Sequence, residues 1–279
     1  MDPETDHSRI VYLTLCDGLL WDVTRSLELA LFRTFAAPSI GRLLHRTGEF
    51  ETNGQKRYDD TTLLLLTILR RGYDSEVGSQ AIDRMNKSHS HFPISNEDYL
   101  FVLSTFVIDP IDWIDRFGWR KLSDNERQSL FLFWRNVGIR MKLQSIPESL
   151  TQMETESWQY VEDHFTFDEA NQRVADGTIE IVKGWLPAML SPFVRPVAST
   201  LLDDRTRNAV GMQQPSRATR QAVHWGLRTR AVVKRFTHLR HQPDWPSGQR
   251  TYPDGYQIDQ LAPRRLLEIE QSEALRQSE

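Results

Sequence analysis

The residues best suited to chemistry in this sequence are two histidines that close the segment Arg84-Met-Asn-Lys-Ser-His-Ser-His91. His89 and His91 lie near the end of an amphipathic stretch that begins around Glu76. A neutral imidazole can bind a metal ion through a ring nitrogen. No cysteine pair or His-Glu-x-x-His motif accompanies them, so their spacing does not indicate zinc. Taken alone, each histidine is more often a surface or helix-capping residue.

A second candidate is the polar segment Lys56-Arg-Tyr-Asp-Asp-Thr61. If it opens the leucine-rich helix that follows, Arg57, Asp60 and Thr61 have the spacing i, i+3 and i+4 and share one face. That face would present a cation, a carboxylate and a hydroxyl at the mouth of an apolar helix. The alternative is a helix cap, with Asp59 or Asp60 in the first turn and Arg57 outside it.

A third candidate is Arg33, which lies among aromatic residues in Leu31-Phe-Arg-Thr-Phe35. A guanidinium in such surroundings usually pairs with a carboxylate or with a propionate-like anion. Pro38 marks a helix break shortly afterwards, and a new helix is expected to run from there to Gly48.

Helical periodicity dominates the first two thirds of the chain, so we expect an all-α fold. Four successive leucines predict that the helix from Asp60 to Arg71 is buried by its neighbours. Residues 10–20 predict a core helix. Helix starts are expected at Ser95, at Ser123-Asp-Asn-Glu126 and at Thr166-Phe-Asp-Glu169, the last two as capping boxes. The helix after Ser95 is expected to end at Asp109-Pro110.

The C-terminal third differs in composition. Residues 213–241 are basic and could form one exposed helix that binds phosphate or acidic lipid, although such a run is more often a solvated face. Residues 242–256 contain three prolines and predict successive turns, and the last dozen residues are expected to fray. We therefore predict three parts: a leader and first helix (1–24), a helical domain (25–241) and an irregular, turn-rich segment (242–279).

Bulk properties exclude several classes of protein. The net charge of −4 gives no general basic field, so nucleic-acid binding is not expected. The only cysteine, Cys16, rules out an internal disulfide and indicates a reducing, intracellular compartment. No apolar run reaches the roughly 18 to 20 residues that span a membrane. The sequence also lacks a serine-hydrolase elbow, a P-loop and a Gly-x-Gly-x-x-Gly motif.

In their shared order and spacing, several segments resemble the fungal MpaB-type oxygenases, which belong with the latex-clearing proteins (rubber oxygenases). The resemblance covers residues 25 to 263. Its blocks are Ala30-Leu-Phe-Arg-Thr34, Pro38 to Leu44, Thr47-Gly-Glu-Phe50, Lys56 to Thr61, Arg84 to His89, Asn96-Glu-Asp98 with Leu100 to Phe106, Glu126 to Gly138, Asp203-Asp-Arg205 and Tyr252-Pro-Asp-Gly-Tyr256.

This resemblance implies a single all-helical domain around a b-type haem with a histidine as axial iron ligand. It also implies dioxygen-dependent cleavage of carbon–carbon double bonds in isoprenoid or other unsaturated, lipid-like metabolites. By position, His89 is the implied ligand and His91 the alternative. The polar cluster Arg57, Asp60 and Thr61 is the implied catalytic group, and Arg57 and Arg33 are expected to contact the haem. Latex-clearing proteins can place a lysine before the threonine, where this chain has Asp60.

MpaB-type proteins usually carry a membrane helix ahead of the Leu-Phe-Arg-Thr block, and no such helix is evident before it here. We therefore expect a soluble protein or one attached peripherally to an endomembrane. Two other hypotheses remain open. One is a non-catalytic protein that binds haem or another hydrophobic ligand. The other is a non-haem metalloprotein that uses His89, His91 and His45.

Overall fold

A computed structural model describes residues 1–237 and 249–277, apart from the side chains of 273–275 and 277. These residues form α-helices without a β-strand, as the helical periodicity predicts. The helices are α1 (Pro3–Thr14), α2 (Leu20–Phe35), α3 (Pro38–Thr47), α4 (Glu49–Thr52), α5 (Gly54–Arg71), α6 (Glu76–His89), α7 (Asn96–Phe117), α8 (Asp124–Arg140), α9 (Leu150–His164), α10 (Glu169–Lys183), α11 (Ser191–Leu201), α12 (Asp204–Ala209), α13 (Arg217–Thr237) and α14 (Arg264–Gln277).

Residues 10–20 lie in the core, as predicted, but they belong to two helices. A π-helical turn, Leu15–Leu19, separates α1 from α2. Within it Gly18 has a φ of 80°, a left-handed conformation that glycine adopts without steric cost. The chain changes direction there while Leu15 and Leu19 remain buried. α1 then packs against α8, and α2 packs against α7.

Two of the three predicted helix starts are confirmed. The Ser95 side chain accepts a hydrogen bond from the backbone N–H of Asp98, and Ser123 forms a complete capping box with Glu126. The predicted capping box at Thr166 is wrong, because Asp168 caps α10 through the N–H of Ala170. A carboxylate one residue before the helix reaches that N–H directly.

The prediction that α7 ends at Asp109-Pro110 is wrong. The helix continues through Pro110 to Phe117. A proline inside a helix removes one backbone hydrogen bond and crowds the preceding turn. The apolar side chains that follow it are buried against the core, and their burial offsets this cost; they are Ile111, Trp113, Ile114 and Phe117.

The predicted exposed basic helix is confirmed over α13, none of whose residues is buried. Residues 238–248, which include the rest of the basic stretch and the first part of the proline-rich loop, lie outside the described residues. The last dozen residues, 268–279, are expected to fray; of these, 268–277 lie in α14, which begins at Arg264, and 278–279 lie outside the described residues. This helix is anchored because Leu266 is buried and Glu270 pairs with Arg84 at 2.7 Å.

The leucine-rich helix α5 lies at the centre of the molecule, as its composition predicts. It packs against α6, and its buried residues Leu63, Leu64 and Ile68 join the largest apolar cluster. A second apolar cluster lies between the end of α2, α10 and α11. Between these regions a cavity remains open, and α5 and α6 bring most of the predicted site residues to it.

Gly41 in α3 lies so close to α10 that a side chain has no room there. A Cβ at this position would overlap the amide oxygen of Asn171. The amide nitrogen of Asn171 donates to the carbonyl oxygens of Ala36 and Ala209, which fixes its orientation. We therefore expect Gly41→Ala to lower the free energy of unfolding by about 1 to 3 kcal/mol, measured by urea denaturation.

The matched control for this prediction is Gly226→Ala in α13. Apart from the backbone of α13 itself, no heavy atom of the described residues lies within 4 Å of the position that a Cβ of residue 226 would take. Alanine should therefore stabilise the protein by roughly 0.5 to 1 kcal/mol, because it restricts the unfolded chain without a clash. Equal effects of the two substitutions would contradict the proposed close contact between α3 and α10.

Candidate functional site

The central cavity has a volume of about 290 Å³ and is bounded by α2 to α8 and by residues 261–263. Most of its wall is apolar, with leucines from several helices and aromatic side chains such as Phe35, Phe106 and Trp134. Its volume is close to the lower end of the range of roughly 300 to 1,000 Å³ for small-molecule and cofactor sites. Because most of the wall is apolar, the polar side chains that line the cavity are few.

His89 is the last residue of α6, and its side chain lines this cavity. Its Nδ1 is buried and has no hydrogen-bond partner in the part of the chain that the structure describes, and its ring lies 5.6 Å from that of Tyr99, centroid to centroid. Burial, and secondly the positive charge of Arg57, lower the pKa of His89 to about 4. The ring is therefore neutral near pH 7, which is the form that can bind a metal ion.

The other two candidate histidines lie outside the cavity lining. His91 is exposed, and its Nδ1 lies 2.8 Å from the carbonyl oxygen of Lys87. His45 pairs with Glu51, at 2.7 Å. In the described part of the chain no three histidine, cysteine, aspartate or glutamate side chains are grouped as metal ligands. The structure thus separates the three histidines of the non-haem hypothesis.

Arg57, Asp60 and Thr61 all line the cavity, as the spacing of one helix face predicts. They lie inside α5, which begins at Gly54 after Asn53, so the alternative of an aspartate cap is wrong. Nη1 of Arg57 donates to the hydroxyl of Thr61 at 3.1 Å. Burial lowers the pKa of Arg57, although Asp60 and Glu49 are near enough to oppose the effect.

The carboxylate of Asp60 is held by one residue of the same helix and by one residue from the C-terminal part of the chain. Its carboxylate accepts hydrogen bonds from Nζ of Lys56 at 2.7 Å and from the Tyr252 hydroxyl at 2.6 Å. Burial raises the pKa of Asp60, and these two donors oppose the increase. The pairing of Lys56 with Asp60 at i, i+4 was visible in the sequence. The contact with Tyr252, 192 residues away, had no local signal.

Glu49 is a further site residue that sequence reasoning missed. Four acidic residues line the cavity: Glu28, Glu49, Asp60 and Asp98. Glu28 accepts from Tyr58 and Asp98 from Ser39, whereas the carboxylate of Glu49 has no hydrogen bond or ion pair with any described residue. Glu49 is only 8% exposed. A buried carboxylate that faces a cavity without a partner is available to a bound molecule.

Arg33 is not brought to the cavity. Its guanidinium lies 3.2 Å from carboxylate oxygens of both Asp109 and Asp203. The sequence predicts either a carboxylate or a propionate-like anion as the partner of Arg33, and the structure shows two protein carboxylates. Its predicted contact with a cofactor has no support in this geometry, because both acidic partners already neutralise its charge. Its place between α7 and the start of α12 indicates a structural role.

The catalytic-domain model of the ER-bound oxygenases mpaB and mpaB′ and of rubber oxygenase matches residues 23–235. The chain belongs to this family. The matched region contains His89, Arg57, Asp60, Thr61 and Glu49, and it ends before the C-terminal residues that line the cavity. The resemblance inferred from the ordered sequence blocks is thereby confirmed.

Three relatives in this mpaB and rubber-oxygenase family give the extent of the similarity. The chain is 29% identical to the ER-bound oxygenase mpaB′ of Penicillium brevicompactum over 227 residues, which are 75% of this chain and 54% of that protein. It is 29% identical to the ER-bound oxygenase mpaB of Penicillium roqueforti over 201 residues, 66% of this chain and 67% of that protein. With mpaB of P. brevicompactum it shares 32% over 124 residues, 42% of this chain and 32% of that protein. The chain thus spans about half the length of the mpaB′ protein it matches.

No helix within residues 1–237 and 249–277 is both long enough and apolar enough to cross a membrane.

Proposed function

We propose that this protein is a haem b-dependent oxygenase that cleaves a carbon–carbon double bond in a prenyl or other unsaturated, lipid-like metabolite of fungal secondary metabolism. The observation that carries the proposal is the placement of His89 and Arg57. A neutral imidazole and a guanidinium that forms no ion pair with a carboxylate of the described residues face the same apolar cavity. Membership of the oxygenase family supports the class of reaction.

The side chains around the cavity fit a haem in three respects. His89 offers a neutral ring whose Nδ1 has no partner. Arg57 hydrogen-bonds to Thr61 and carries a positive charge that could pair with a propionate. The leucine and aromatic walls suit the apolar macrocycle. His89 would hold the iron, as histidine does in many haem proteins.

When bound, the haem supplies the dioxygen chemistry, and the protein supplies placement and polarity. The apolar walls exclude water and bury an unsaturated hydrocarbon chain. Arg57 holds an anionic group of a bound molecule, and its hydrogen bond to Thr61 orients the guanidinium. The carboxylate of Glu49 has no hydrogen-bond partner among the described residues and is available to a bound molecule, whereas Asp60 is engaged by Lys56 and Tyr252.

The reaction can be tested by isotope labelling. Cleavage of a double bond by dioxygen yields two carbonyl groups, so the atoms balance without an added reductant. Haem-loaded protein incubated with a polyprenyl substrate under ¹⁸O₂ should give products whose carbonyl groups carry ¹⁸O, as measured by mass spectrometry. Free haem in the same buffer is the control. Tight substrate binding without oxygen consumption would instead support the non-catalytic, ligand-binding alternative.

We also propose that the protein is intracellular and contacts an acidic membrane surface peripherally through α13. The outward face of this helix carries Trp225, Val232 and Phe236, of which Trp225 is 73% and Phe236 83% exposed. Exposed arginines, Arg217 and Arg228 among them, flank this face, and α13 contains no acidic residue. Apolar side chains beside arginines suit the interface of a bilayer with anionic lipid. The Penicillium relatives mpaB′ and mpaB are described as ER-bound oxygenases.

Vesicle flotation tests this contact. The wild-type protein should float with vesicles that contain anionic lipid, less so at high salt, and Trp225→Ser with Phe236→Ser should abolish flotation. Trp158→Ser is the control, because Trp158 is equally a large exposed side chain, at 59%, but lies on α9. Absence of flotation would overturn the proposal. A concentration-dependent dimer that the α13 variant loses would overturn it as well and would assign this face of α13 to contact between two copies of the protein.

A further inference from the structure

One wall of the cavity comes from a part of the chain that lies beyond the region matched by the family model. Leu261, Ala262 and Pro263 line the cavity, although that region ends at residue 235. Leu261 is 1% and Ala262 2% exposed, so both are fully packed. The extent of the cavity on this side therefore depends on residues that are separate from the matched domain.

Lys56 holds this wall in place. Its Nζ donates to the carbonyl oxygen of Ala262 at 2.7 Å, to the Tyr252 hydroxyl at 2.8 Å and to Asp60 at 2.7 Å. An ammonium group has three N–H donors, so these acceptors use its full capacity. One side chain on α5 thus ties both ends of the segment Tyr252–Ala262 to the helix that carries Arg57 and Thr61.

Further polar contacts fix the same segment. The carboxylate of Asp59 accepts from the backbone N–H of Thr251 at 2.8 Å. Arg84, on α6, donates to the carbonyl oxygen of Leu261 at 3.3 Å and pairs with Glu270 in α14. Because the backbone is held on both sides of Leu261 and Ala262, these two side chains have little freedom to withdraw from a bound molecule.

We propose that Leu261 and Ala262 are specificity-determining residues that limit the length of the apolar chain the cavity accepts. The inference rests on the proposed function, since it takes an unsaturated hydrocarbon chain as the substrate. A larger side chain at position 262 would reduce the room for a bound hydrocarbon chain, and the loss of the methyl group would increase it. The size of residue 262 therefore decides how much of the chain fits beside it. In an apolar pocket one methylene group changes binding by roughly 10- to 200-fold.

The test is the binding of prenyl alcohols of one to four isoprene units to the purified, haem-loaded protein, measured by isothermal titration. Ala262→Leu should weaken binding of the longest alcohol at least tenfold and leave the shortest within about twofold, as expected for a pocket shortened by about three carbon atoms. Ala262→Gly should shift the preference towards longer chains. Ala209→Leu is the control, because Ala209 is buried but does not line the cavity.

The outcomes separate the two proposals. If the wild-type protein binds prenyl alcohols but Ala262→Leu and Ala262→Gly leave the ratio of long-chain to short-chain affinities unchanged, Ala262 does not set chain length and the inference is wrong. If the wild-type protein binds none of the alcohols, the proposed substrate class fails and the inference fails with it. A shift in the ratio that Ala209→Leu does not reproduce supports the wall as the determinant.

Discussion

Lys56→Met is expected to lower the free energy of unfolding by about 3 to 5 kcal/mol, because it leaves a buried carboxylate without its cation. Asp60 is 1% exposed, and Lys56 is its ion-pair partner at 2.7 Å. The substitution also removes the donor to Ala262 and so loosens the C-terminal wall of the cavity. Urea denaturation at pH 7, followed by circular dichroism, measures the effect.

The pH dependence gives this prediction a second observable. Burial already raises the pKa of Asp60, and Lys56 opposes that rise. Without Lys56 the pKa of Asp60 in the folded protein rises further above its value in the unfolded chain. Stability is then lost as pH rises above the unfolded pKa of the carboxyl group, about 3.9. The variant should therefore be closest to wild type at about pH 4 and furthest from it near neutrality.

Lys183→Met is the matched control for Lys56→Met. Lys183 pairs with Glu180 at the surface, where side-chain exposure is 32% and 66%. Exposed ion pairs contribute only about 0 to 1 kcal/mol, so this variant should remain close to wild type. Asp60→Asn added to Lys56→Met should recover part of the lost stability, because the two residues are directly coupled. A Lys56→Met protein as stable as the Lys183→Met protein would contradict the assigned role of Lys56.

Arg57→Met is expected to reduce kcat/KM for an unsaturated substrate by roughly 10²- to 10³-fold, the usual effect of removing one preorganised charged donor. Arg57 has no ion pair with any described carboxylate and faces the cavity beside His89. Its charge is one of the two causes that lower the pKa of His89 to about 4. The variant should therefore also raise the pKa of His89, while burial, the larger cause, keeps it below 6.5.

Kinetic assays and an NMR titration of the His89 ring measure the two effects separately. Arg33→Met is the control, because Arg33 pairs with Asp109 and Asp203 away from the cavity. It should lower stability, because its acidic partners lose their counter-ion, without a change in the titration of His89. An Arg57→Met protein with unaltered kinetics and an unaltered His89 titration would show that this guanidinium does not act on the site.

The parts of the site that local periodicity governs could be predicted from the sequence. Arg57, Asp60 and Thr61 face one cavity because helical geometry sets the direction of residues i, i+3 and i+4. The burial of the leucine-rich helix followed from its composition in the same way. His89 could be singled out only through the resemblance, because its spacing from other histidines carries no ligand pattern.

The remaining features depend on tertiary contacts that local patterns do not encode. Asp60 accepts a hydrogen bond from Tyr252, and Arg33 pairs with Asp109 and Asp203; each of these three partners lies more than 70 residues away in the sequence. Pro110 does not end α7, since the burial of apolar residues after it offsets the lost hydrogen bond. Likewise α14 is polar in sequence but is held by the burial of Leu266 and by the ion pairs of Glu270 with Arg84 and Lys87 on α6.

The most direct test of the central claim is a haem titration of the wild-type, His89→Ala and His91→Ala proteins, followed through the Soret absorption band. Since His89 lines the cavity and His91 is exposed, we expect wild type and His91→Ala to bind one equivalent of haem with the same spectrum. His89→Ala should lose stoichiometric binding or show a shifted band that added imidazole restores. A normal Soret band and one-to-one binding in His89→Ala would contradict the assignment of His89 as the iron ligand.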